Sequence, residues 1–201
     1  MKILAVELSS ARGSVALIGG DSPEFSREWA NDRKNSGPLF EHLAEVQKQS
    51  GKSDTIVVGL GPGSYAGTRI AISAAIGLQT ASRATLIGYP SICAIECDVP
   101  EYCVIGDARR NSFFYARVCD RNLTEGPILM SEAELRQKLA KIDKQMPIFS
   151  TEKLPQFQTA QLRYPAAKML AQLVTDATRN FIQPPLEPMY LREPHITIPK
   201  K

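Results

Sequence analysis

The sequence predicts an α/β protein made of two tandem β-β-β-α-β-α units, the second trimmed. Three observations predict it. Short runs rich in Val, Ile and Leu alternate with longer runs of helical period. Each half opens on two strand-like runs joined by a short turn. The order of elements in residues 1–100 then repeats, shortened, in residues 101–201. We read 1–100 as an N-terminal subdomain and 101–201 as a smaller C-terminal one. The chain has 201 residues, 43% of them hydrophobic, enough to bury a core without staples.

The elements follow in order. KILAVEL (2–8) and SVALIG (14–19) read as strands around the turn SSARG, and EFSREWAN (24–31) as a third. In GPLFEHLAEVQKQSG, Pro38 suits the first helical position and Gly51 the stop. Leu39, Leu43 and Val46 mark its apolar face. TIVVGL is a continuous apolar run, the mark of a buried strand. A helix follows from about Gly67, then the strand ATLIG (84–88) and a short helix after Pro90.

In the second half, YCVIGD and SFFYARVC form a hairpin on the turn ARRN, and GPILMS adds a strand. Ser131 and Glu134 make a capping box for a helix over 131–141. MPIFST is a strand. Pro165 is expected to open a helix reaching Arg179, and the Pro-rich tail IQPPLEPMYLREP to be extended.

Composition narrows the function. A net charge of +3 lacks the dense basic stripe of a dedicated nucleic-acid binder. The longest apolar stretch, Ile70–Leu78, is too short to span a bilayer. No signal peptide opens the chain, so a cytoplasmic protein is expected. Cys93, Cys97, Cys103 and Cys119 form no C-x-x-C pair and read as reduced thiols. With His42 and His195 as the only histidines, neither a metal site nor a Ser-His-Asp triad is expected.

The stretch GLGPGSYAGTR (59–69) joins a strand to a helix, as phosphate-holding turns do. It lacks the Gly-Lys-Ser/Thr of a P-loop. Two tandem units of this order resemble the actin-like ATPase (ASKHA) superfamily, which holds ATP between the halves. That resemblance implies phosphate contacts from two hairpin turns. In the first, Glu7 stands where Asp is usual, with Ser9 and Ser10 behind it. In the second, Asp107 is in place, but Arg109 and Arg110 stand where glycine would be needed. Of the thirteen glycines only Gly106 and Gly126 lie beyond Gly88, so the adenosine loop is missing. Ser9, Ser10, Gly61, Gly63 and Asp107 are the candidates for residual anion or nucleotide binding.

Four ordered motifs carry a closer resemblance. They are ILAVELSSARGSVAL, GPGSYAGTRI (61–70), VIGDARRNSFFYARV and PMYLREP (188–194). Together they resemble the TsaB (YeaZ) family, the non-catalytic actin-like subunits of the bacterial tRNA threonylcarbamoyladenosine (t6A) machinery. Departures are Glu7, Asn35 before Ser36, and Ser112 in place of the usual Glu. The resemblance implies no catalytic residue and no cofactor of the chain's own, with ATP and metal on partner subunits. It implies a TsaD-type catalytic partner, a TsaE-type ATPase, tRNA met only through the complex, and a homodimer as the alternative assembly of the isolated chain. It implies pairing through helices 38–50 and 67–80, which nominates Leu39, Leu43, Gly67, Ala71, Ala74 and Leu78. Small residues on one helix face serve equally as core. An independent actin-like kinase and an M22-type glycoprotease-like peptidase are the rival readings.

Overall fold

The computed structural model describes residues 1–20, 24–31 and 36–192. Asn35, His195 and the end of the PMYLREP motif lie outside the described residues. The first sheet holds β1 (Ile3–Glu7), β2 (Arg12–Ile18), β3 (Phe25–Ala30), β4 (Thr55–Gly59) and β5 (Thr85–Tyr89). Their order is β3-β2-β1-β4-β5. The three hairpin strands are antiparallel, and β4 and β5 run parallel to β1. β1 and β4 are buried at every residue, hence their unbroken apolar runs.

The second sheet holds β6 (Glu101–Asp107), β7 (Ser112–Cys119), β8 (Asn122–Ser131), β9 (Ile148–Ser150) and β10 (Gln161–Leu162). Its order, β10-β9-β6-β7-β8, repeats that of the first sheet with shorter parallel strands. The duplicated unit read from the sequence is therefore present. β8 starts at Asn122, earlier than the apolar run suggested. The β7–β8 register shifts near Arg117, and that irregularity hides the strand's polar first half.

α1 (Gly37–Ser50) and α2 (Tyr65–Ser82) cover one face of the first sheet. Leu39, Leu43 and Val46 seat α1 there. Ser64 caps α2, its Oγ accepting the Gly67 N–H at 3.3 Å. α3 (Glu132–Ala140) shows the expected capping box and buries Leu135 under the second sheet. A 3₁₀ turn spans Ser91–Ala94.

The last helix departs from expectation. α4 covers only Ala167–Leu173. Pro165 forms a β-bridge with Ile95 instead of opening the helix. Beyond Leu173 the chain loosens into i→i+3 turns, and Asp176 turns its carboxylate onto the Thr178 N–H and hydroxyl. Such local side-chain bonding competes with helix continuation. α4 covers the other face of the first sheet, where Ala167, Leu170 and Ala171 meet Ile3, Ala5, Ala16 and Val57. Its Ala167 N–H donates to the buried Ser14 Oγ at 2.8 Å. The same apolar cluster takes in Tyr102, Val104, Phe114 and Phe149 of the second half, so the halves share a core.

Candidate functional site: the cleft between the sheets

The β1–β2 turn, Leu8–Ala11, is held by its own side chains. Ser10 Oγ donates to the Arg12 carbonyl at 2.9 Å, and the Asn31 amide donates to the Leu8 and Ser10 carbonyls at 3.2 and 2.9 Å. The GPGS turn docks on it, with the Ser64 N–H reaching the Ser9 carbonyl at 2.6 Å. A Cβ at Gly63 would lie 2.1 Å from the Ser9 oxygen, and one at Gly67 would lie 2.1 Å from the Leu8 oxygen. These glycines therefore admit the chain's own backbone. Gly61 is spent elsewhere: its N–H donates to Ser91 Oγ at 2.8 Å, and it does not line the cleft.

Glu7 lies beneath this junction, fully buried. Its Oε1 accepts the Ser9 N–H at 2.6 Å, while Oε2 has no hydrogen-bond partner. A Cβ at Gly59 would sit 1.7 Å from Oε2, so only glycine leaves room for the longer carboxylate. Burial raises the pKa of the Glu7 carboxyl, and the neighbouring Ser9 and Ser91 groups pull against it without reversing the shift. Glu7 thus points into the protein and is absent from the cleft lining.

The second turn is also committed. Asp107 accepts the Arg109 N–H at 2.6 Å and its guanidinium at 3.0 Å, and the Asp107 N–H donates to Glu152 at 2.9 Å. Arg109, Arg110 and Asn111 all adopt left-handed backbone, with φ of 65°, 54° and 57°.

The tail closes the cleft. Leu186 is buried in the core of the first half. The Met189 N–H then donates to the Leu60 carbonyl at 2.8 Å, and Tyr190 packs on Tyr65 with ring centroids 5.5 Å apart. Arg192 donates to the Arg109 carbonyl at 3.4 Å, so residues 186–192 run from one half to the other. Together these segments enclose a cavity of about 500 Å³. Ser9, Ser10, Gly63 and Asp107 line it. Ser9 Oγ is buried there without a partner.

The residues nominated for pairing lie elsewhere. Leu39, Leu43, Gly67 and Ala71 are buried against the first sheet, and Ala74 and Leu78 are half-buried against the same core. The outward faces of α1 and α2 carry Phe40 and Ile76, 52% and 46% exposed. Sequence reasoning nominated the small-residue stripe and did not nominate these two. It also singled out PMYLREP without seeing that Tyr190 and Arg192 belong to the cleft. Among the described residues no three His, Cys, Asp or Glu side chains gather as metal ligands. No helix among them is long and apolar enough to cross a membrane.

Two sheets of one order, facing each other across a cleft, define the actin-like class of fold. Within that class, the chain belongs to the family described as TsaD: tRNA N6-adenosine threonylcarbamoyltransferase, whose model matches residues 3–181. Its fold is that of YeaZ from Pseudomonas aeruginosa, with a TM-score of 0.72 and 19% identity, over 94% of this chain and 100% of that one. A second structure, described as an uncharacterized protein with similarity to peptidase YeaZ from Pseudomonas aeruginosa, gives 0.73 and 20%, over 95% and 99%. In sequence the chain is 32% identical over 94 residues to uncharacterized proteins of Mycobacterium bovis and Mycobacterium tuberculosis. That match spans 46% of this chain and 44% of the length of those relatives.

Proposed function

We propose that this chain is the non-catalytic, YeaZ (TsaB)-type subunit of the assembly that makes threonylcarbamoyladenosine in tRNA. It pairs with a TsaD-type catalytic subunit in the cytoplasm, with a TsaE-type ATPase joining the pair. ATP and metal chemistry belong to those partners. One observation carries the reading beyond family membership. Gly63 and Gly67 of the glycine turn are filled by the Ser9 and Leu8 carbonyls, the Gly61 N–H is taken by Ser91, and Glu7 is turned inward beneath them. An actin-like ATPase needs the acidic residue of its first hairpin facing its nucleotide.

The outward faces of α1 and α2 form the pairing surface in this reading, with Phe40 and Ile76 as its apolar anchors. Exposed aromatic and aliphatic residues of this kind carry most interface energy when covered. The test is co-expression with the TsaD homologue of the same organism, followed by size-exclusion chromatography. The wild-type chain should co-elute, and Ile76→Asp should separate while keeping its native circular dichroism. Clean separation of the wild-type chain, with Mg-ATP binding measured by calorimetry, would instead establish an independent actin-like kinase. The cavity of about 500 Å³ between the halves gives that rival its footing.

A further inference from the structure

Among the described residues, four of the nine exposed arginines, Arg12, Arg27, Arg109 and Arg136, hold a carboxylate within 4 Å. Among the described residues, the exposed arginines with no such partner are Arg69, Arg83, Arg110, Arg163 and Arg192. Arg192 lines the mouth of the cleft, and Arg69 and Arg110 adjoin it through the lining residues Tyr65 and Arg109, although the three lie far apart in the chain. Arg69 donates to the Tyr65 hydroxyl at 2.5 Å, and its guanidinium lies 5.1 Å from that ring's centroid. Arg192 reaches the Arg109 carbonyl, and Arg110 follows in the same left-handed turn. Between them stand Tyr65 and Tyr190, 48% and 41% exposed. Among the described residues, the acids nearby are Asp107, spent on Arg109, Glu152, spent on the Asp107 N–H, and Glu187.

We infer that this mouth is an RNA-contacting surface. The arginines take phosphates, and the tyrosine pair takes unpaired bases of a loop. Unpaired guanidinium groups beside exposed aromatic rings suit single-stranded RNA, whose bases stack on rings while its backbone runs past cations. A duplex would use the arginines alone. The inference rests on the reading that places the chain in a tRNA-modifying assembly, and it assigns to this subunit a direct share of the substrate.

The test measures fluorescence anisotropy of an unmodified tRNA transcript with the full chain, alone and with its TsaD-type partner. Arg110→Glu with Arg192→Glu reverses the mouth. Arg83→Glu with Lys52→Glu reverses two exposed charges at the starts of β5 and β4, away from it. The mouth pair should weaken binding roughly ten-fold or more beyond the control pair, and flatten the salt dependence by about 0.7–0.9 per lost phosphate contact. Tyr190→Ala should weaken it roughly five-fold or more. Equal losses from both reversals would overturn the inference, since only net charge would then matter. So would unchanged tRNA binding by a mouth variant that no longer co-elutes with the TsaD-type subunit; the mouth would then take an acidic protein surface. Failure of the wild-type chain to co-elute removes the assembly reading alone, because the comparison of reversals on the free chain still decides the mouth.

Discussion

Glu7 is a fully buried carboxyl group that accepts the Ser9 N–H through one oxygen and leaves the other without a protein partner. Burial raises its pKa, so the folded protein holds the proton more tightly than the unfolded chain does. Its contribution to stability is therefore fully present below the ordinary carboxylate value of 4.5 and is lost as pH rises through the folded pKa. Glu7→Gln removes this dependence. Thermal denaturation should show the variant gaining on the wild type as pH rises from 4.5 toward neutrality; parallel curves would mean that the carboxyl is solvated. Cys93 obeys the same physics. Burial, only partly opposed by the Arg179 and Arg121 charges, pushes its thiol up to about 12. Native protein at pH 8 should leave Cys93 unmodified by a thiol reagent while the half-buried Cys97 and Cys119 react.

At the scale of elements, the junction of the GPGS turn with the first hairpin bears the stress of any change. Gly67→Val puts carbon atoms where the Leu8 carbonyl already sits. Overpacking of this kind costs about 1–3 kcal/mol, which chemical denaturation would read directly. Ser64→Ala removes the α2 cap and should cost about 1 kcal/mol without moving the turn. These elements were largely legible in the sequence because each carries a local cause. Pro38 and Gly51 bracket α1, Ser131 and Glu134 start α3, and the apolar runs of β1 and β4 need no partner to be read. The helix expected after Pro165 was misread because its fate is tertiary: Pro165 is taken by Ile95, from a distant part of the chain. The two-residue β10 has no pattern of its own and exists only as a partner of β9. The candidate pairing stripe could not be told from core in the sequence for a related reason. Small residues at helical spacing show that something packs closely, and here that something is the protein's own sheet.

At the scale of the molecule, α4 and the tail return to the first half after the second sheet has been completed. One face of the first sheet is covered by a helix from residues 167–173, packed with the Ser91–Ala94 turn in the same cluster. On the ribosome, this makes the order of synthesis matter. Chain emerges at roughly 5–20 residues per second, so the apolar face of Ile3, Ala5, Ala16 and Val57 lacks α4 for on the order of 10 s after β5 is made. A fragment ending at residue 100 should bind a hydrophobic dye and aggregate, and a separately supplied 101–201 fragment should suppress both effects. A nascent chain stalled before Ala167 would be a client for chaperones, and a frameshift late in the message would abolish the protein as surely as one near its start.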